Sequence, residues 1–180
     1  MEAMTAPIHL RRGVAADARA LAELAARTFD ETFRHTTTAA DMAAHLAKAY
    51  GESQQGAELA DPAIVTIVAE TDGALAGYAQ VRRGSDAPIP LEDPVELYRF
   101  YVDRPWHGQG LAQRLMEQVR AAARELGGRH VWLSVWSGNE RAKKFYAREQ
   151  FTDRAETVFW LGSDRQVDRI FVAPLEGESR

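Results

Sequence analysis

The stretch RPWHGQGLAQRL, residues 104–115, sets two glycines two positions apart where a proline and a tryptophan close one segment and an amphipathic pattern opens. Before it, VELYRFYV (95–102) is dense in aromatic and β-branched residues and reads as a strand. After it, Leu111, Leu115, Val119, Ala122 and Leu126 recur at three and four and stop at Gly127-Gly128, which predicts a helix with a glycine stop. HVWLSVW (130–136) is a strand again. Strand, helix and strand make a βαβ unit with a right-handed crossover, so the two strands are expected to run parallel.

The turn itself has two readings. A helix start leaves backbone N–H groups unpaired and carries partial positive charge, and Gly108 and Gly110 would let an anion come close. Arg104, His107 and Arg114 add positive charge or donors, so a phosphate is the natural guest. The other reading is a tight strand-to-helix turn and nothing more. Two familiar phosphate loops do not fit: Gly110 is followed by Leu111-Ala112 rather than the Lys-Ser or Lys-Thr of a P-loop. The third glycine of a dinucleotide fingerprint is Gln113 here, and the next strand ends in Val135-Trp136 without the acidic residue that would hold a ribose.

Working outward, PIHLRR (7–12) reads as an edge strand, and Val14, Ala18, Leu21, Leu24, Thr28, Phe29 and Phe33 predict a helix over 16–34. Thr38 with Asp41 resembles a capping box opening a second helix that ends near Gly51, and 52–60 adds a third before Asp61-Pro62. IVTIVAE (64–70) and ALAGYAQVRR (74–83) flank Thr71-Asp72-Gly73, a hairpin signal. Asn139 caps a helix over 139–149, and strands over 155–162 and 166–173 close the chain around Gly162-Ser163-Asp164. The fold class is mixed α/β (α+β): a mostly antiparallel sheet of about seven strands, a central parallel βαβ unit, and helices on both faces. At 180 residues and 46% hydrophobic composition, one domain over 1–180 is expected, with a frayed tail at 175–180.

Composition narrows the chemistry. A net charge of −4, from 26 acidic and 22 basic side chains, argues against general nucleic-acid binding while leaving room for a local anion site. The absence of cysteine removes disulfides, thiolate metal sites and a thiol nucleophile. His35 and His45 have no partner at metal-ligand spacing, and no metal is expected. With no leader-like apolar run and no stretch of about 18 apolar residues, the expected location is the cytoplasm and no membrane partner is expected.

His107-Gly108-Gln109-Gly110-Leu111-Ala112 resembles the signature of the GNAT superfamily of acetyl-CoA-dependent N-acetyltransferases, with His in the place of the usual Arg or Gln. A second family element, N-x-x-A-x-x-F-Y-x-x-x-x-F, is matched by Asn139, Ala142, Phe145-Tyr146 and Phe151, with Gln150 where a glycine is usual. ELYRFYVDRPWHGQGLA and FWLGSDRQVDRIFVAPL look most like a bacterial branch that includes spermidine and spermine acetyltransferases. The resemblance implies acetyl-CoA as co-substrate, no metal, a small-molecule primary amine such as a polyamine as acceptor, direct attack in a ternary complex, and a homodimer.

It also implies roles. The coenzyme would be held by His107, Gly108, Gln109, Gly110, Leu111 and Ala112, by the backbone of Phe100, Tyr101 and Val102 at a bulge in the strand, and by Asn139. Lys143 or Lys144 would meet the adenosine 3′-phosphate. An alkyl ammonium has a pKa of about 10.4, so a general base helps at neutral pH, and Glu96 stands where some members carry a catalytic glutamate. A salt-bridged strand glutamate is the alternative for Glu96. Tyr146 would be the general acid, since a phenol of pKa about 10 is protonated and can give its proton to the leaving thiolate. Glu92 and Asp93 join Glu96 in an acidic cluster that could attract a cationic amine. Protein or peptide N-acetylation, and a non-catalytic acyl-CoA-binding module, are the alternative functions.

Overall fold

The computed structural model describes residues 7–175; residues 176–180, nearly all of the expected frayed tail, lie outside them. Among the described residues, seven strands form one sheet in the order β1-β2-β3-β4-β5-β7-β6. The strands are β1 (His9–Arg12), β2 (Ile64–Thr71), β3 (Ala74–Arg83), β4 (Pro94–Val102), β5 (His130–Trp136), β6 (Thr152–Leu161) and β7 (Asp164–Pro174). The helices are α1 (Ala18–Phe33), α2 (Ala39–Ala49), α3 (Glu52–Ala60), α4 (Leu111–Glu125) and α5 (Glu140–Arg148). β4 and β5 are parallel and the other neighbours antiparallel, as the βαβ pattern and the hairpin signals predict.

Strand alternation divides the core in two. On one face Val81, Val95, Leu97, Val131 and Leu133 pack against the α4 stripe of Leu115, Met116, Val119, Ala122 and Ala123. On the other, Val68 and Tyr78 meet Leu21, Leu24, Ala25 and Phe29 of α1 and Met42 of α2. The tight closure after α4 needs glycine: a Cβ on Gly128 would lie 2.5 Å from Val95 Cγ2.

Two irregularities in β4 shape the centre. Val81 pairs with Leu97 and Gln80 with Arg99, so Tyr98 is an extra residue, a β-bulge. It places Tyr98 and Arg99 on the same face, with the Arg99 guanidinium 4.2 Å over the Tyr98 ring. Strict alternation would have driven Arg99 into the apolar α4 face, at the cost of an unpaired buried charge. Instead Arg99, buried at 5% exposure, donates to Glu58 and to Gln80 Oε1 (2.6 Å) on the α1–α3 face. The bulge therefore sits at Tyr98, earlier than the Phe100 to Val102 expected from the resemblance.

The second irregularity is a divergence. β4 and β5 pair only at Pro94, Val95 and Glu96 with His130, Val131 and Trp132. Beyond Glu96, β4 stays with β3 as far as Val102, and β5 stays with β7 as far as Trp136. A V-shaped opening through the sheet results.

Candidate active site at the strand opening

A cleft of about 1100 Å³ runs through this opening. Its walls come from both faces: Phe29, His45 and Tyr50 on the α1–α2 side, and Gly110, Asn139 and Tyr146 on the α4–α5 side. A ligand held on one face can thus reach a second ligand on the other.

On the α4 side, Gly108 and Gly110 have φ of 75° and 79°, and a Cβ on either would meet nothing within 4 Å. That left-handed backbone costs a non-glycine residue about 1–2 kcal/mol. The open space in front of both glycines suits a group resting on the α4 amides, as a phosphate does. Leu111 and Ala112 follow on the cleft wall. Gln109 does not reach it; its side chain donates to the Pro105 carbonyl at 2.7 Å. Arg114 is likewise turned away and holds the Ile8 carbonyl at 2.9 Å, whereas Arg104 does line the cleft.

His107 is a brace. Arg141 Nη1, which can only donate, lies 2.6 Å from its Nδ1, and the Val102 carbonyl, which can only accept, lies 2.7 Å from its Nε2. The two partners require the Nε2–H tautomer. The ring ties the turn to the end of β4 and fixes Arg141 on the cleft wall.

The second family element is assembled as its spacing implies. Asn139 Oδ1 accepts from the Ala142 amide at 3.1 Å and caps α5. Tyr146 is buried on the cleft wall beside Phe100, Phe145 and Phe151, with ring centroids 6.2, 5.5 and 5.7 Å away. Burial pushes its phenol above the ordinary tyrosine value, so it stays protonated. Phe145 stacks on Phe100 at 5.5 Å and lines the cleft too. Lys143 does not line it; its Nζ pairs with Glu140 at 2.6 Å, and Lys144 is also absent from the wall. Gln150 stands at φ 65°, the backbone region that explains why glycine suits this position.

Of β4, Phe100, Tyr101 and Val102 flank the opening. Glu96 is buried at 8% exposure, lines the cleft on the α1–α2 side, and accepts from Arg82 Nε at 2.5 Å. The acidic cluster expected around it disperses: Glu92 pairs with Arg129, and Asp93 occupies a left-handed turn at φ 43°. Neither lines the cleft.

Several wall residues carry no sequence motif. Phe29 stacks on His45 at 4.6 Å, with Tyr50 and Phe159 each 5.9 Å from the imidazole. Burial there, helped by the Arg99 charge, pushes His45 below its ordinary value and keeps it uncharged at neutral pH. On β7, Asp168 is buried against Ser134, whose hydroxyl donates to Oδ2 at 2.6 Å.

The profile of the Acetyltransferase (GNAT) family matches residues 18–151. The chain is 37% identical over 143 residues to an uncharacterized N-acetyltransferase in the pepI 3′ region of Lactobacillus delbrueckii subsp. lactis, covering 78% of this chain and 82% of that one. It is 33% identical over 159 residues to an uncharacterized N-acetyltransferase of Mycobacterium tuberculosis, covering 88% and 98%. Among solved structures, the PaiA N-acetyltransferase of Thermoplasma acidophilum in complex with coenzyme A superposes with a TM-score of 0.77, at 17% identity over 93% of this chain and 99% of that one. The yncA protein of Salmonella typhimurium, with its cofactor acetyl-CoA, gives 0.67 at 19% identity over 97% of both chains. At these identities the structures share the fold, and the family profile together with the curated relatives carries the assignment: this chain belongs to the GNAT family of acetyltransferases.

Proposed function

We propose that the protein transfers the acetyl group of acetyl-CoA to a primary amine of a small molecule, by direct attack within a ternary complex. The observation that carries this reading is the cleft that crosses the sheet, with a glycine cradle and Arg141 on one face and the buried carboxylate of Glu96 on the other. An anionic coenzyme and a cationic acceptor would enter from opposite sides and meet at the strand opening.

Each side chain then has a task. The α4 amides behind Gly108 and Gly110, with Arg104 and Arg141, bind phosphate; Arg141 takes over the charge that the motif's first position supplies when it is arginine. The freed backbone of Phe100 to Val102 and the Asn139 side chain orient the pantetheine arm, and fixed backbone dipoles polarise the carbonyl. Glu96 accepts the amine proton through water, since Arg82 occupies its Oε2. Tyr146 gives its proton to the departing thiolate.

The direct test incubates the purified protein with acetyl-CoA and a panel of polyamines, amino acids, aminoglycosides and peptides while following free thiol. Thiol release above the enzyme-free rate with one class of amine is expected. Release no faster than that control across the panel would count against the reading.

A further inference from the structure

Among the described residues, Asp168 is the one acidic side chain on the cleft wall for which neither motif nor resemblance assigns a role and which is also deeply buried, at 8% exposure. Its Oδ2 accepts the Ser134 hydroxyl at 2.6 Å, whereas its Oδ1 is shielded from solvent and has no hydrogen-bond partner. A carboxylate half satisfied in a dry site costs stability, because desolvation is not repaid by a donor. Burial also raises its pKa, the mark of that unpaid cost. An ammonium group set against this carboxylate would offset that cost.

Register fixes where this place lies relative to Glu96. Glu96 pairs with Trp132 and Asp168 with Trp136, so the two carboxylates belong to the same sheet face but stand four residues apart along β5, about 13 Å of strand. One nitrogen cannot serve both. The same cleft has an aromatic wall of Phe29, His45, Tyr50 and Phe159, a surface that suits an aliphatic chain and the flank of an ammonium group.

We infer that Asp168 is the specificity-determining residue for an acceptor with two cationic groups: it binds the ammonium that does not react, while the other amine is presented toward Glu96. This rests on the acetyl-transfer reading for the second half of the statement only. The first half is a binding claim with its own readout.

The experiment uses the full chain and two probe series, α,ω-diaminoalkanes of graded length and the n-alkylamines of matching length. Binding is followed by calorimetry and by the shift in melting temperature, and turnover by thiol release with acetyl-CoA. Wild type is expected to bind the best diamine at least about tenfold more tightly than its monoamine counterpart, and Asp168→Asn to lose that preference while binding acetyl-CoA unchanged. Asp168→Asn alone is expected to melt at the same temperature as wild type or higher at neutral pH, because a neutral amide relieves the unpaid burial; Ser134→Ala is the milder second variant. Equal preference for diamines in wild type and Asp168→Asn overturns the inference, as does a wild type that binds diamines no better than monoamines. Diamine binding that depends on Asp168, in a protein that acetylates no amine, would leave the binding claim standing and sink the transferase reading instead.

Discussion

Arg141 donates to Nδ1 of His107 across 2.6 Å, and this contact joins the start of α5 to the glycine turn ahead of α4. Both sides of the proposed coenzyme cradle are held by one imidazole, whose other nitrogen is fixed to the Val102 carbonyl. Replacing His107 by alanine should therefore raise the KM for acetyl-CoA about fivefold, the size of an exposed charge-assisted contact of about 1 kcal/mol, with kcat almost unchanged. Arg141→Ala should do the same, and the double variant should be little worse than either single one. Fully additive losses in steady-state kinetics would mean that the two residues act separately.

The buried pair of Arg99 with Glu58 makes a different kind of prediction. Their side chains are 4% and 7% exposed, and the Arg99 guanidinium also donates to Gln80 Oε1, the Ala49 carbonyl and the Tyr98 hydroxyl. Glu58→Leu leaves the guanidinium buried without its charge partner, which costs about 3–5 kcal/mol. At about 2–4 °C per kcal/mol for a chain of this size, the melting temperature should fall by roughly 10 °C in a calorimetric scan. A drop of only a degree or two would show that solvent reaches Arg99.

Gln150 predicts a gain. It occupies a left-handed conformation after α5, with φ 65°, where its Cβ costs about 1–2 kcal/mol. Glycine removes that strain but gives back about 0.5–1 kcal/mol through the greater freedom of the unfolded chain. Gln150→Gly should therefore stabilise the protein by about 0.5–1 kcal/mol in denaturant unfolding, with acetyl transfer unchanged. A loss of stability would mean that the glutamine side chain makes a compensating contact.

Much of this architecture was legible because it depends on local signals. Among the described residues, period-two and helical-period runs, the Gly127-Gly128 stop and the Asn139 cap place each strand and α-helix within a few residues of where it lies, whereas the 3-10 turn at Arg104–Trp106 reads only as a turn. The bulge left a trace as well: Val95 and Leu97 share one phase, Phe100 and Val102 the next, and the slip between them marks the extra residue at Tyr98. Asp168 left a similar one, a charge in step with Ile170 and Val172 on a buried face. The brace between His107 and Arg141 left none, since it joins residues 34 apart in the chain whose meeting is decided by how α5 docks. For the same reason Arg141 carries no signal of its own, and the resemblance points instead to Lys143, two positions away, which pairs with Glu140.

Tyr146 carries the central claim, that this cleft transfers an acetyl group with a buried phenol as proton donor. Removing one hydroxyl by Tyr146→Phe keeps the ring among Phe100, Phe145 and Phe151, so packing and coenzyme binding should survive. The decisive measurement is acetyl-CoA affinity and single-turnover acetyl transfer for wild type and Tyr146→Phe side by side, on whichever amine the panel identifies. The account predicts an unchanged Kd and a transfer rate lower by roughly 100-fold to 10,000-fold. A variant that transfers acetyl at the wild-type rate would contradict it.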